Sequence, residues 1–284
     1  MRARRHAVGI AILLAACGGS SPPPPATDVT AVYRAALVEE PSAAAWAEVP
    51  ELRAPLLLQD MVEPRLLTAS TPEVRVRAMT DGRQVAFRLE WPDVTRDDLP
   101  GTGRFSDACA VQLPAATTPD VPAPQMGEPG RPVEISYWRA FWQAVVDGRP
   151  DTINALYPGA AIDHYPFEAT PLVPGSPAQQ AMARRYAPAR ALGNAMAGPR
   201  ASAVQDLIGE GPSTLRPASE QRSRGRGVHS DGGWAAVIVR PLPAGMRPDA
   251  PGQVAFAVWD GSGEEAGARK MRTAWIPFAV EGGR

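Results

Sequence analysis

Residues 253–275 read Gln253-Val-Ala-Phe-Ala-Val-Trp-Asp-Gly-Ser-Gly-Glu-Glu-Ala-Gly-Ala-Arg-Lys-Met-Arg-Thr-Ala-Trp275. This pattern predicts a strand, a polar glycine-rich loop and a second strand that opens with Lys270. Lys270 is the only lysine of the chain. An amine can lose its proton and offer a nitrogen lone pair, whereas a guanidinium cannot. Lys270 is therefore either a neutral amine that serves as a metal ligand or nucleophile, or a lone lysine left by chance.

The segments before this stretch alternate apolar and polar residues, as half-buried strands do. Asp81-Gly82 separates two of them and predicts a tight hairpin. The predicted strands are Val74–Ala78, Gln84–Trp91, Asp107–Leu113, Val133–Trp138, Gly232–Arg240, Gln253–Trp259 and Thr273–Val280. Pro277 predicts an edge or a bulge in the last of these strands. The fold class is mainly β, an antiparallel β-sandwich with a partly helical, loop-rich insertion over residues 149–230.

Two helices are predicted, one at Arg139–Gly148 and one within the insertion at Ala178–Tyr186. Many prolines and glycines favour short strands and turns over long helices. No internal repeat is visible.

Charge and cysteine content exclude several function classes. The formal net charge of the chain is −1, whereas nucleic-acid binding needs a basic face. The two cysteines, Cys17 and Cys109, form neither a zinc-type group nor the Cys-x-x-Cys-His motif of covalently attached haem.

The N-terminus resembles a bacterial lipoprotein signal. Residues 1–17 combine an arginine-rich start, a short apolar core and the lipobox Leu14-Ala15-Ala16-Cys17. The resemblance predicts lipidation of Cys17, and Gly18 in place of Asp favours the outer membrane on its periplasmic side. Residues 18–29 form a Gly/Ser/Pro-rich tether, and residues 30–284 form the folded domain. A cleaved signal with a chance cysteine is the alternative.

A second unusual segment is the loop Pro122-Ala-Pro-Gln-Met-Gly-Glu-Pro-Gly-Arg-Pro132. Met126 lies in it just before a strand, and an exposed loop is an unusual place for an apolar side chain. Met126 either fills a gap in the core, as methionine often does, or contacts a ligand.

Several ordered motifs resemble the haem-b-binding gamma subunits of type II dimethyl-sulfoxide-reductase-family enzymes, which include ethylbenzene dehydrogenase, dimethylsulfide dehydrogenase, selenate reductase and chlorate reductase. The likeness runs from about residue 30 to 280 and is carried by Asp81–Thr95, Phe105–Pro114, Met126-Gly-Glu-Pro with Trp138, and Phe256–Ser262 with Lys270 and Trp275.

The resemblance implies a β-sandwich that holds one non-covalent haem b between a methionine and a lysine ligand. These ligands correspond to Met126 and Lys270. A ligating lysine must be neutral, and lowering its pKa from about 10.4 to below 7 costs on the order of 4–5 kcal/mol. Two protein ligands leave no open iron position, so the implied role is electron transfer and not catalysis.

By the same resemblance, the expected partners are a molybdenum-containing alpha subunit and an iron–sulfur beta subunit, or a soluble cytochrome c.

Other residues of the sequence are weaker candidates for iron ligands or catalytic groups. Met271 neighbours Lys270 and should point to the opposite face of its strand. His164 and His229 are rival iron ligands in turn-rich segments, interpreted as surface or packing residues. Glu264 and Glu265 should point apart and so form no acid/base pair. Asp107 and Asp260 are interpreted as turn residues, and Ser262 has no His/Asp setting around it. Tryptophans 138, 234, 259 and 275 are expected in the core, with some lining a haem pocket.

Two other functions stay open on the sequence. A haem-free β-sandwich could bind carbohydrate or another surface ligand, which an exposed tryptophan would mark. Lys270 could also form a Schiff base with a carbonyl substrate.

Overall fold

The structure is a computed structural model that describes residues 26–150, 153–159, 173, 175–186, 188–192, 194, 200–248 and 250–283. The predicted signal peptide with Cys17, and also His164, lie outside the described residues. The first seven strands are β1 Val29–Tyr33, β2 Leu52–Pro55, β3 Leu57–Leu58, β4 Glu73–Thr80, β5 Gln84–Trp91, β6 Ala108–Pro114 and β7 Val133–Arg139. The others are β8 Val204–Gly209, β9 Arg216–Pro217, β10 Arg224–Ser230, β11 Gly233–Pro241, β12 Gly252–Trp259, β13 Met271–Arg272 and β14 Ile276–Val280. The helices are α1 Ala140–Val146, α2 Ile153–Leu156, α3 Pro177–Tyr186 and α4 Pro188–Ala191, with a short 3-10 helix at Ala44–Glu48.

The strands form two sheets that share β12. In the first sheet the order is β10-β11-β5-β4-β1-β14-β12, with β2 beside β4. In the second, the order is β13-β12-β6-β7-β8-β9, with β3 beside β13. The first half of β12 pairs with β14 and its second half with β6 and β13, so one strand carries the chain from sheet to sheet.

The main core lies between the two sheets. Alternate residues of β5 point inward, so that Phe87 of the first sheet meets Phe256 of the second with ring centroids 5.9 Å apart. Trp91 likewise meets Trp138 at 6.3 Å. This interdigitation of two inner faces is the packing of a β-sandwich, and it confirms the predicted fold class.

The β4–β5 hairpin shows how a local signal fixes a turn. Gly82 has a φ of +86°, and the Asp81 carboxylate accepts hydrogen bonds from the backbone N–H of Arg83 and of Gln84 at 2.8 and 2.7 Å. The hairpin predicted from Asp81-Gly82 is therefore confirmed.

Three parts of the predicted fold are wrong. The stretch 149–230 is not only a loop-rich insertion, because β8 and β10 within it are integral strands of the two sheets. The sheets are not wholly antiparallel, since β1 pairs in parallel with both β4 and β14. Finally, Pro277 marks neither an edge strand nor a bulge against β12. The strand β14 lies between β1 and β12, and its register with β12 runs through Pro277 without an extra residue. The ladder with β1 starts only at Phe278, where proline's missing N–H no longer matters.

Each sheet also has an outer face. The segment around Trp46 covers the outer face of the first sheet, where it packs on Met79, Ala86, Val237 and Val239. The outer face of the second sheet carries small and apolar residues, among them Ala108, Ala110, Ile135 and Ala257. Within the described part of the chain, the segments that cover it around the cavity are loops, which leaves room for that cavity. Among the described residues, no helix combines the length and apolarity needed to cross a bilayer.

Candidate functional site

A cavity of about 500 Å³ lies on the outer face of the second sheet. Its floor is formed by neighbouring strands, with Ala110 of β6 paired to Ala257 of β12 and Ile135 of β7 paired to Leu207 of β8. Loops near Val62, Pro124, Ser213 and Ala266 form its walls. The small floor side chains make the space, and its volume is in the range of small-molecule and cofactor pockets.

Met126 lies on the cavity wall and is half-buried against the outer-face cluster. Its φ is +68°, in the left-handed region that non-glycine residues seldom adopt. Such a backbone persists only where surrounding contacts hold it. The Met126 carbonyl accepts a hydrogen bond from the Gly211 N–H at 2.9 Å, and the Gly127 N–H donates to the Ala123 carbonyl at 2.9 Å.

Two glycines allow this loop to press onto the end of β8. A Cβ on Gly127 would lie 2.8 Å from the Gly209 carbonyl oxygen, and one on Gly209 would lie 2.7 Å from that of Met126. The loop is fastened further because the Gln112 side-chain amide donates to the Pro124 carbonyl at 3.0 Å. The thioether is thus carried on a fixed backbone.

Lys270 lies on the same cavity, at the residue before β13. Its Nζ is 5.1 Å from the centroid of the Trp259 ring, which also lines the cavity. No ion pair involving Lys270 occurs within the described part of the chain. Burial, together with the charge of Arg272, lowers the pKa of Lys270 to about 8, which makes its neutral form less costly than that of a free lysine. The carbonyl of Lys270 accepts from the Gln59 N–H at 3.1 Å and fixes the backbone.

The structure thus brings Met126 and Lys270 to one cavity, as the sequence motifs required, although their role as ligands stays a prediction. Met271 is only 2% exposed and packs in the main core between the sheets. It therefore lies on the other side of the sheet from Lys270 and cannot reach the cavity.

Two arginines that the sequence did not single out also line the cavity, at opposite edges of its floor. Arg139 ends β7 and Arg272 ends β13. Each has a buried Nε with no hydrogen-bond partner. Their positions follow from strand register and could not be found from local sequence signals.

Other candidate residues lie away from the cavity. His229 faces the first sheet's loops, with Nε2 3.1 Å from the Asp93 carbonyl oxygen and its ring 5.0 Å from that of Trp234. Ser262 is exposed and donates to the Asp260 carboxylate at 2.7 Å. Cys109 is fully buried between the sheets, and burial raises the pKa of its thiol.

Asp107 is more than the turn residue that the sequence suggested. It is fully buried and accepts hydrogen bonds from the Asp97 N–H at 2.7 Å, the Gly261 N–H at 2.8 Å and the Trp234 indole at 2.9 Å. It therefore ties two loops to the core. Burial raises its pKa to about 7. One carboxylate oxygen each of Asp93, Asp107 and Asp260 lies within 4.8 Å of the others.

All seven tryptophans of the chain lie within the described residues, and none is exposed. Trp138 and Trp234 belong to the main core, Trp259 lines the cavity, and Trp275 is half-buried, with its indole donating to the Pro122 carbonyl at 2.7 Å. The mark expected of a carbohydrate-binding surface is therefore missing.

The chain matches the family model described as ethylbenzene dehydrogenase over residues 43–271. It is also similar to ORF7 of Haloferax mediterranei, provisionally named a respiratory nitrate reductase heme subunit, with 24% identity over 247 residues, covering 84% of this chain and 67% of that protein. Two structures of a family 9 carbohydrate-binding module from Caldicellulosiruptor kristjanssonii, one with cellotriose and one with glucose, align with it at 9% identity. Their TM-scores are 0.41 and 0.42, over 90% of this chain and 94% and 96% of the module.

Proposed function

The chain belongs to the ethylbenzene dehydrogenase family, and from this premise we propose that it is the haem-binding, electron-transferring subunit of a reductase complex and not the catalytic subunit. The observation that carries the proposal is the cavity on the outer face of the second sheet, because one apolar space has both a thioether and a buried amine on its walls. The name of the haloarchaeal relative, a nitrate reductase haem subunit, supports the same conclusion.

The residues of the cavity fit a haem. The floor and walls are mostly apolar, as the macrocycle requires, and the volume of about 500 Å³ suits a cofactor. The amine of Lys270 has no acid partner among the described residues, so no carboxylate there stabilises its ammonium form. We propose that Met126 and Lys270 would hold the iron of a non-covalent haem b.

A haem held by two protein ligands supplies one-electron chemistry and leaves no iron position for oxygen or substrate. The chain's own residues set that arrangement. The fixed loop around Gly127 and Gly209 holds the thioether of Met126 in place. Burial of Lys270 disfavours its ammonium form, and Trp259 with the neighbouring alanines keeps water from that side of the cavity.

The compartment and the partners are further parts of the proposal. The lipobox-like Leu14–Cys17 supports an exported protein that is lipid-anchored through Cys17, in the periplasm and on the outer membrane. The family supports a molybdenum-containing alpha subunit with an iron–sulfur beta subunit as electron donor or acceptor, and a soluble cytochrome c on the other side.

The test of ligation uses two methionines that lie on opposite sides of the second sheet. Met126→Leu removes the thioether from the cavity, whereas Met271→Leu removes one from the core beside Lys270. We expect the low-spin absorption bands of the haem-loaded protein to be lost in Met126→Leu and kept in Met271→Leu. Low-spin bands that survive in Met126→Leu would show that another residue binds the iron.

The anchor is tested by cell fractionation of Cys17→Ser. Lipidation predicts that this variant moves from the membrane fraction to the soluble fraction of the periplasm. If the variant stays with the membranes, Cys17 is not the anchor.

A further inference from the structure

The cavity has one edge at which several polar groups lack partners. Arg139, the last residue of β7, lines the cavity, and its Nε is buried without a hydrogen-bond partner. No ion pair formed within the described ranges includes Arg139. Its guanidinium instead lies 5.3 Å from the centroid of the Trp142 ring. Arg139 as a whole is half-buried, and a buried donor atom with no acceptor beside it is costly unless a ligand supplies one.

A second guanidinium lies beside the first. Arg200 lies 3.6 Å from the centroid of the same Trp142 ring. Because both guanidinium groups lie over the same ring, their positive charges are close together. Burial, and after it the charge of Arg139, lowers the pKa of Arg200 to about 10. An anion between the two guanidinium groups would relieve their repulsion.

Two neutral groups lie at this edge, of which Tyr137 lines the cavity and Gln205 lies buried next to it. Tyr137 lies two residues before Arg139 on the same face of β7 and lines the cavity. Gln205 of β8 is its cross-strand partner and is 1% exposed, with both polar atoms of its side-chain amide unpartnered. Buried donors of this kind are seldom left unsatisfied in a folded protein.

The opposite edge of the floor differs. Arg272 lies there, and its Nε is also buried without a partner. Within the described ranges, however, no second guanidinium shares an aromatic ring with it, and its terminal nitrogens already contact the Thr273 carbonyl at 3.5 Å and the Met61 sulfur at 3.8 Å. Met61 is 65% exposed. This edge is therefore partly open and offers fewer donors to an anionic group.

We propose that the acidic groups of the bound cofactor, which in a haem are its two propionates, lie at the β7–β8 edge against Arg139, with Arg200, Tyr137 and Gln205 around them. The Arg272 edge then receives an apolar side of the macrocycle. The proposal rests on the proposed haem function and adds the orientation of the group in its cavity. Arginine suits this task because its planar fork matches a carboxylate.

The test compares haemin with its dimethyl ester, which keeps the macrocycle and removes both carboxylates. Each is titrated into the ligand-free protein and followed by absorption and by quenching of tryptophan fluorescence. We expect Arg139→Gln to weaken haemin binding at least about tenfold, the scale of one charge-assisted hydrogen bond, and to leave ester binding nearly unchanged. Arg272→Gln, the matched variant at the other edge, also lines the cavity and should change the affinities for haemin and for the ester by the same factor.

Two further variants guard against a folding defect. Tyr137→Phe removes one hydroxyl and keeps the ring between Trp142 and Trp259, and Arg139→Lys keeps the charge without the fork. Tyr137→Phe should weaken haemin but not ester binding, and Arg139→Lys should restore part of the affinity lost in Arg139→Gln. Two results would overturn the orientation alone. One is an equal loss of haemin and ester affinity in Arg139→Gln. The other is a larger loss of haemin affinity in Arg272→Gln than in Arg139→Gln. A wild-type protein that binds neither compound would overturn the haem function and, with it, the orientation.

Discussion

Filling the cavity and overfilling the core should have opposite effects on stability. Ala257 is on the cavity floor, and Ala236 is fully buried in the main core. A phenyl ring at position 257 enters open space of about 500 Å³. Since a cavity of roughly 150 Å³ holds one benzene, the ring takes about a third of that space. A fully buried phenylalanine gains about 1.5–3 kcal/mol from apolar burial.

We therefore expect Ala257→Phe to leave the free energy of unfolding unchanged or to raise it by about 1 kcal/mol, since the cavity is open on one side. Ala236→Phe should lower it by about 3 kcal/mol or more, because a packed core must shift to admit the ring. Urea unfolding of the two ligand-free variants measures both values.

Haemin titration of the same proteins completes this test. The folded Ala257→Phe protein should lose haemin binding by at least about a hundredfold, since the macrocycle cannot share a cavity of this size with the ring. If Ala257→Phe binds haemin as the wild type does, or is destabilised as much as Ala236→Phe, the cavity is not the binding space.

The other predictions concern single side chains. Lys270→Arg should fold but lose the low-spin bands of the loaded protein, whereas Arg269→Lys should keep them; intact bands in Lys270→Arg would refute ligation by this amine. Burial raises the pKa of Asp107 from 3.8 to about 7, so the folded protein holds a proton that the unfolded chain has released. Stability should therefore fall as pH rises from about 4 to about 7, by at most about 1.4 kcal/mol per pH unit. Asp107→Asn should flatten that slope in urea unfolding, and an unchanged slope would assign it to other groups. Glu134→Gln leaves the buried guanidinium of Arg240 without its acid and should cost about 3 kcal/mol in the same assay; a loss below about 1 kcal/mol would mean that solvent screens the pair.

The sequence predicts a strand well where one face alternates. The bounds of β5, Gln84–Trp91, agree residue for residue with the alternating run, because inward apolar and outward charged residues fix a period of two. The same argument fails for β10. Its Arg224-Gly-Arg-Gly start shows no apolar face. Two of its residues are glycines because the neighbouring atoms leave no room for a Cβ. A Cβ on Gly225 would lie 2.4 Å from the Val237 carbonyl oxygen, and one on Gly227 would lie 2.2 Å from the Trp138 ring. This lack of room for a Cβ can be seen only once the two sheets are assembled.

The residues of the candidate site also differ in whether the sequence predicts them. Met126 and Lys270 were found from residue type and motif, because a thioether in a Pro/Gly loop and a single lysine are unusual in themselves. Arg139, Tyr137 and Gln205 carry no such signal. They meet only through the β7–β8 register, and their unpartnered donors become visible once their neighbours are known. A polar edge of this kind needs the tertiary structure to be recognised.

The absorption spectrum of the purified protein, produced in the periplasm and recorded oxidised and then reduced, tests the central claim most directly. We expect sharp low-spin haem bands in both states, which do not change when ligands that need an open iron position are added. In Met126→Ala these bands should be lost. A protein that shows no haem absorption, even after haemin is added, would contradict the account.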